Sequence, residues 1–150
     1  MGQKELIQKF YNAFQELDVE TMISCYHDDI EFSDPGFGEL KGEEVKNMWR
    51  MICGRAQNFS LIYTELTDNS VHWEAKYLFS KTGNKVHNLI DATFEFKEGK
   101  ISKHTDVFDL HKWAGQALGL KGKLLGGTEF FKKKLQKQTR TLLRKFVEKK

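Results

Sequence analysis

The stretch FSDPGFG, residues 32–38, ends an extended segment with an acid, a proline and two glycines. Residues 29–33 lead into it and are typical of a strand, and proline and glycine favour a turn directly afterwards. Asp34 is therefore expected at a rim or at the mouth of a pocket, where a base could reach a bound molecule. The alternative is that Asp34 only opens the turn, by bonding its own backbone.

Helical patterns lie on both sides of this stretch. Apolar residues at helical spacing between residues 5 and 17 predict a first helix, and Asp18 is a good N-cap for a second helix over residues 19–26. A third helix begins at residues 42–44, has acids in its first turn and ends near Gly54.

Strand patterns dominate from residue 59 to residue 109. The segments are rich in β-branched and aromatic residues, and KTGN at residues 81–84 is typical of a hairpin turn. Three helices framing one early strand, followed by a four-stranded antiparallel meander, predict an α+β fold. The predicted meander strands are residues 59–66, 71–80, 85–96 and 101–109.

The C-terminal part, residues 111–150, is expected to be a helical extension. A helix over residues 110–118, a glycine-rich loop to Gly127 and a terminal helix are predicted, and residues 111–127 are either a lid or a connector. Residues 128–150 contain nine Lys or Arg and two Glu, a net charge of +7, which leaves about −4 for the rest of the chain. One interpretation is that this helix binds nucleic acid or an anionic membrane. The other is that it packs through its apolar stripe and exposes a solvated basic face, and the presence of the stripe favours this second interpretation.

Composition points to one soluble domain over residues 1–150. The chain has one proline and no linker-like segment, and its length can bury a sizeable core. Cys25 and Cys53 have no metal-ligand spacing, so we expect reduced thiols, no metal and a cytoplasmic location. The polar start lacks the pattern of a signal peptide, and no apolar run has the length of a membrane span.

Alternation along two meander strands predicts which side chains share a face. An inward aromatic face is expected on residues 71–80, formed by Val71, Trp73, Ala75, Tyr77 and Phe79. On the last strand, His104, Asp106 and Phe108 share a face, so the His104 imidazole and the Asp106 carboxylate can form a charge-assisted hydrogen bond. The alternative is an exposed pair on a polar outer face.

These features together resemble the SnoaL-like and ketosteroid-isomerase-like proteins of the nuclear transport factor 2 (NTF2-like) superfamily. The resemblance covers roughly residues 1 to 110 and depends on the order and spacing of several short motifs. It implies a cone-shaped fold, in which a curved sheet wraps around the early helices and encloses an apolar pocket, in a homodimer. The matching motifs are DVE (18–20), YHDD (26–29), FSDP (32–35) with Gly38, KGEE (41–44), IDA (90–92) and EGKI (98–101).

Residue by residue, the resemblance implies roles for two acids. Asp34 matches the general base of the isomerases, and Asp91 matches the acid that donates a hydrogen bond to the oxyanion. The tyrosine that completes that oxyanion hole falls on Phe10, and Tyr11 lies about 100° around the helix. Steroid isomerisation itself is therefore not expected.

The preferred catalytic set is Asp34 with His104 and Asp106, because the last strand faces the pocket in the superfamily. If Asp91 points inward, alternation puts His87 on the same face and turns the apolar Ile90 outward. Either a dimer partner covers that apolar face, or a bulge in the strand removes the conflict. The residues expected to contact a ligand are Phe10, Trp49, Trp73, Tyr77, Phe79, His87 and Phe108.

Two functions fit this set. The first is a cofactor-independent acid/base enzyme, an isomerase, cyclase or epoxide hydrolase acting on a small apolar carbonyl or epoxide compound. The alternative is a module that binds a hydrophobic ligand or a protein partner without chemistry. Nucleotide hydrolysis, zinc proteolysis and α/β-hydrolase chemistry are disfavoured, because the sequence has no phosphate-binding glycine loop, HExxH motif or nucleophile elbow.

Overall fold

The structure, a computed structural model, describes residues 1–149. It confirms the α+β class and the curved mixed sheet. The helices are α1 (Gln3–Gln15), α2 (Val19–Ser24), α3 (Glu43–Arg55), α4 (Leu110–Leu118), α5 (Leu120–Leu125) and α6 (Glu129–Glu148). The strands are β1 (Tyr26–Asp34), β2 (Gly38–Lys41), β3 (Ser60–Thr64), β4 (Ser70–Leu78), β5 (Lys85–Lys97) and β6 (Lys100–Val107).

The six strands form one sheet in the order β2-β1-β6-β5-β4-β3. All neighbours pair antiparallel except β1 and β6, which are parallel. The crossover from β1 to β6 carries α3 and the meander, so the chain returns its last strand to the side of its first. This pairing places the end of β6 next to the Asp34 turn.

Helix α1 fills the inside of the curved sheet because its apolar residues recur at helical spacing. Ile7, Phe10, Tyr11 and Phe14 are all buried. The helix ends at Gln15, and the Asp18 side chain accepts a hydrogen bond from the Thr21 N–H at 3.3 Å to cap α2.

The Asp34 turn forms as its sequence predicts. Strand β1 ends at Asp34, and Gly38 begins the short strand β2 with φ +76°. A Cβ at Gly38 would also lie 2.8 Å from a guanidinium nitrogen of Arg140, so the Arg140 side chain would have to shift to make room for it.

Several predicted bounds were wrong by a few residues or missed an element. Helix α2 stops at Ser24, and β1 begins at Tyr26 because Tyr26 already pairs with Ile101 of β6. Strand β2 was missed because four residues are too short to show alternation, and α5 lies where a loop was expected. Strand β6 ends at Val107, because Asp109 caps α4 by accepting from the Lys112 N–H at 3.1 Å.

Helix α6 packs across the Asp34 turn through four side-chain hydrogen bonds to backbone carbonyls. Gln136 donates to Pro35 at 3.1 Å and Thr139 donates to Gly36 at 2.9 Å. Arg140 donates to the carbonyls of residues 37 and 39, each at 3.1 Å. We call these four bonds the turn clamp.

Both cysteines are free; Cys25 is buried and Cys53 is half-buried. In the part of the chain that the structure describes, no helix is long and apolar enough to cross a membrane.

Candidate active site

A cavity of about 310 Å³ opens between the inner face of the sheet, α3 and α4. Its wall is mainly aromatic, as in many sites for small apolar molecules. Asp34 and Asp106 also reach it, and Leu135 of α6 contributes to one side. The predicted wall residues that line it are Trp49, Trp73, Tyr77, Phe79 and Phe108.

Asp34 lies at the mouth of this cavity, on the last position of β1. Its Oδ1 accepts a hydrogen bond from the Phe37 N–H at 2.6 Å, so the turn fixes the direction of the carboxyl group. Burial raises the pKa of Asp34 to about 7; the Phe37 N–H lowers it, and the negative charge of Asp106 raises it further. A carboxyl group with this pKa can take up and release a proton near neutral pH.

Asp106 is the neighbour of Asp34 across the parallel pair of strands. Phe32 pairs with His104 and Ser33 with Thr105, so the same register one residue further brings Asp34 beside Asp106. Asp106 is only 4% exposed. The structure thus brings two of the three residues of the preferred set to one wall of the cavity.

His104 lies behind that wall and is fully buried. Its Nε2 is 2.9 Å from Asp106 Oδ1, and its Nδ1 is 2.8 Å from the Tyr26 hydroxyl. The hydroxyl in turn accepts from the Trp49 indole N–H at 2.9 Å. With the proton on Nε2, His104 donates to Asp106 and accepts at Nδ1 from the Tyr26 hydroxyl.

In this tautomer, Trp49 donates to Tyr26, Tyr26 donates to His104, and His104 donates to Asp106. A second indole, that of Trp73, reaches the same carboxyl oxygen from 3.4 Å. His104 contacts Asp106 and does not line the cavity, so the structure does not place it to touch a molecule there, as a catalytic role would require. Burial raises the pKa of Tyr26 well above its ordinary value, so its hydroxyl stays protonated.

Of the three aromatic residues of α1, Phe10 and Tyr11 lie behind the cavity wall, so the expectation that Phe10 contacts a ligand was wrong. Phe10 packs behind the wall, with its ring 5.6 Å from the His104 ring and 5.9 Å from the Trp49 ring. The Tyr11 hydroxyl is 3.5 Å from His104 Nε2. Both side chains are fully buried, so they support the His104 network and do not line the cavity.

Tyr77 supplies a hydroxyl that the sequence suggested only as part of the wall. The Trp113 indole N–H donates to it at 2.8 Å, and this is its only hydrogen bond within residues 1–149. Its own O–H is therefore free to donate into the cavity. Burial raises the pKa of Tyr77, the Trp113 bond lowers it and the nearby negative charge of Asp34 raises it, so the group remains a donor.

Asp91 and His87 lie on the outer face of the sheet, so the expectation that they face the pocket was wrong. Alternation on β5 buries Ile90, Ala92 and Phe94 and turns the residues between them outward. The Asp91 carboxylate is 2.9 Å from His72, whose pKa it raises through this hydrogen bond. His87 is 2.9 Å from Glu74 on the same outer face. Neither can reach a molecule in the cavity.

No three or more His, Cys, Asp or Glu side chains among residues 1–149 are placed to hold a metal ion. Three of the polar groups that line the cavity are the carboxyl group of Asp34, the carboxyl group of Asp106 and the phenolic O–H of Tyr77.

The fold is shared with several solved structures of low sequence identity. A hypothetical protein with a ketosteroid isomerase-like fold from Catenulispora acidiphila, solved with trimethylamine, is 15% identical with a TM-score of 0.63, over 79% of this chain and 95% of that one. A proposed polyketide cyclase from Pseudomonas putida is 17% identical with a TM-score of 0.60, over 78% and 98%. An epoxide hydrolase of the LEH-like type from M. tuberculosis is 22% identical with a TM-score of 0.59, over 83% and 90%.

At the sequence level, no curated protein matches the chain. The SnoaL-like domain matches residues 7–104, which include most of α1, the Asp34 turn and most of the sheet. The resemblance read from the short motifs is thereby confirmed. Residues 7–104, about two thirds of the chain, carry the family's pattern, and the protein belongs to the SnoaL-like family of the NTF2-like fold.

Proposed function

We propose that the protein is a cofactor-independent acid/base enzyme that acts on a small apolar carbonyl or epoxide compound. The observation that carries the proposal is the Asp34 carboxyl group, whose burial raises its pKa to about 7 at the mouth of an aromatic cavity. Perturbed ionisable groups in apolar clefts are typical of catalytic acids and bases. The similarity to a proposed polyketide cyclase and an epoxide hydrolase agrees with this class of chemistry.

In the proposed reaction, ionised Asp34 is the proton acceptor. With a carbonyl compound, it takes a proton from the carbon next to the carbonyl, and the Tyr77 O–H donates a hydrogen bond to the resulting enolate oxygen. Protonated Asp34 then returns the proton to carbon. With an epoxide, Asp34 takes a proton from a water molecule as that water attacks a ring carbon and the ring C–O bond breaks. The oxygen released from the ring accepts a hydrogen bond from the Tyr77 O–H and takes up a proton from solvent, while protonated Asp34 releases its proton to solvent, which gives the diol and restores the base.

Asp106 has a different part in this proposal. It is anchored by His104 and Trp73 and lies beside Asp34. Its negative charge favours the protonated form of Asp34, so the pair can hold one proton in the neutral pH range. The Asp106 carboxylate therefore tunes the base without having to receive the substrate's proton.

Substitution of Asp34 and of Tyr77 tests the proposal. Small cyclic ketones, 1,3-diketones and epoxides would be incubated with the protein, and deuterium exchange from D2O or diol formation would be measured. Asp34→Asn keeps the acceptor for the Phe37 N–H and should lower turnover about a thousandfold or more, since it removes the base. Tyr77→Phe should lower it by about 10²-fold, since it removes one donor to the developing oxyanion.

The matched control is Tyr63→Phe. Tyr63 also carries a hydrogen-bonded hydroxyl, donated to Asn12 at 2.6 Å, but it does not line the cavity. This variant should turn over at the wild-type rate. Turnover that survives in Asp34→Asn would remove the base from the mechanism. Ligands that bind all variants equally, with no turnover in any, would instead favour a binding module.

A further inference from the structure

The C-terminal helices combine exposed apolar side chains with an excess of positive charge. Residues 110–150 contain twelve Lys or Arg and two Glu. Within this part, Leu120, Leu124 and Phe130 are 72%, 71% and 71% exposed, and Leu125 is 41% exposed. Large apolar side chains at this exposure, placed close together in the chain, are unusual unless they contact something.

Helix α5 presents its leucines away from the rest of the protein. Gly122 is buried, and a Cβ there would collide with the Ala114 carbonyl of α4, so this face of α5 is in close backbone contact with α4. His111 also donates to the Lys123 carbonyl at 2.7 Å. On a helix, Leu120 and Leu124 lie about 40° apart and on the side opposite Gly122.

Two lysines flank this leucine pair. At about 100° per residue, Lys121 and Lys123 lie on the two sides of the Leu120 and Leu124 ridge. Both are exposed, and neither forms an ion pair in the described part of the chain. We call Leu120, Lys121, Lys123 and Leu124 the α5 surface.

We propose that the α5 surface docks on the surface of an anionic lipid bilayer. Apolar side chains with lysines on either side are what an interfacial helix needs, because leucines enter the acyl boundary while ammonium groups stay among the headgroups. The positive charge of residues 110–150 complements an anionic bilayer.

Two other occupants fit the α5 surface less well. A nucleic acid would use the lysines but gains little from exposed leucines, since its backbone is read by charge. A second copy of the chain would bring two strongly basic segments together and repel. An anionic bilayer is the one occupant that uses both the leucines and the lysines.

Docking there would place the bilayer next to the helices that close the cavity. Leu110 and Trp113 of α4 line the cavity, and α5 packs directly on α4. An apolar compound dissolved in the membrane would then lie close to the cavity wall. Membrane docking does not depend on the proposed function, because it is measured without any substrate.

Vesicle binding tests the docking. The full chain would be sedimented with vesicles of phosphatidylcholine mixed with phosphatidylglycerol and with vesicles of phosphatidylcholine alone, at low and moderate salt. Binding should require phosphatidylglycerol and weaken with salt. Leu120→Ser/Leu124→Ser should lower the partition coefficient at least about tenfold, because two side chains no longer enter the acyl boundary. Lys121→Gln/Lys123→Gln should lower it about tenfold or more and flatten the salt dependence.

The matched control is Ile62→Ser/Val107→Ser. These side chains are 57% and 60% exposed, but they lie on the sheet. This variant should bind vesicles like the wild type, with the oligomeric state of every variant checked by light scattering. No sedimentation with phosphatidylglycerol vesicles, or equal loss in the control, would overturn the proposal. The proposal would also be overturned if the wild type self-associated and the leucine variant did not. Binding to single-stranded DNA without binding to vesicles would overturn it as well.

Discussion

Asp34 owes its unusual proton affinity to its place at the end of β1. The turn buries the carboxyl group at the cavity mouth, and the parallel pairing with β6 sets a second carboxyl group beside it. The Pro-Gly signal in the sequence was sufficient to locate Asp34. The size of the pKa change was not predictable, because the aromatic residues that exclude water come from distant elements.

The raised pKa of Asp34 should appear in the stability of the protein. The folded pKa, about 7, lies above the usual aspartate value, so the folded state keeps a proton that the unfolded chain releases as the pH rises from about 4. The penalty grows up to about pH 7 and is constant above it. Asp34→Asn removes this penalty.

The free energy of unfolding of Asp34→Asn should therefore rise relative to the wild type between pH 4 and pH 8, by on the order of 2 to 4 kcal/mol. Urea unfolding at a series of pH values measures the difference. Glu31→Gln, an exposed acid on the same strand, provides the baseline. A constant difference between Asp34→Asn and the wild type across this range would mean that Asp34 is an ordinary exposed carboxylate.

Other residues show how far the sequence alone could lead. The His104 and Asp106 pair followed from strand parity, and the structure joins them at 2.9 Å. Alternation along β5 conflicted with the inward Asp91 that the family resemblance implied. The structure resolves the conflict, because Ile90 and Ala92 are buried and Asp91 faces outward. The free hydroxyl of Tyr77 depends on Trp113, 36 residues away, and no local pattern could have revealed it.

Among the elements, α6 has the least expected role. The sequence predicted its apolar stripe, and Phe131 and Leu143 are buried accordingly. Its polar residues, however, form the turn clamp on residues 35–39, about 100 positions earlier in the chain. Hydrogen bonds across such a separation leave no trace in local periodicity. Strand β2 and helix α5 also escaped prediction, because four and six residues are too short to show a clear periodicity.

Weakening the turn clamp should affect both stability and the proton affinity of Asp34. Thr139→Val/Arg140→Met removes the donors to the carbonyls of residues 36, 37 and 39. We expect a loss of about 1 to 3 kcal/mol in the free energy of unfolding. Water should enter the loosened turn, so the pKa of Asp34 should fall towards its usual range.

The control for the clamp is Lys137→Met, an exposed cation on the same helix that makes none of these bonds. Urea unfolding and an NMR titration of Asp34 give the two readouts. If the double variant loses stability but the Asp34 pKa stays near 7, α6 supports the fold without tuning the base.

For the molecule as a whole, the predicted α+β cone was correct because many weak signals agreed, from the Asp18 cap to the strand parity of the meander. The homodimer stays a prediction.

The proposed reaction depends most on a carboxyl group at the cavity mouth that exchanges its proton near neutral pH. The most direct test is a carbon-13 NMR titration of the aspartate carboxyl groups in the wild-type protein, with the Asp34 signal assigned by its absence in Asp34→Asn. We expect a midpoint of about 7 for Asp34. A midpoint near 4, the value of a solvated aspartate, would contradict the proposed base and leave Asp34 as a turn residue.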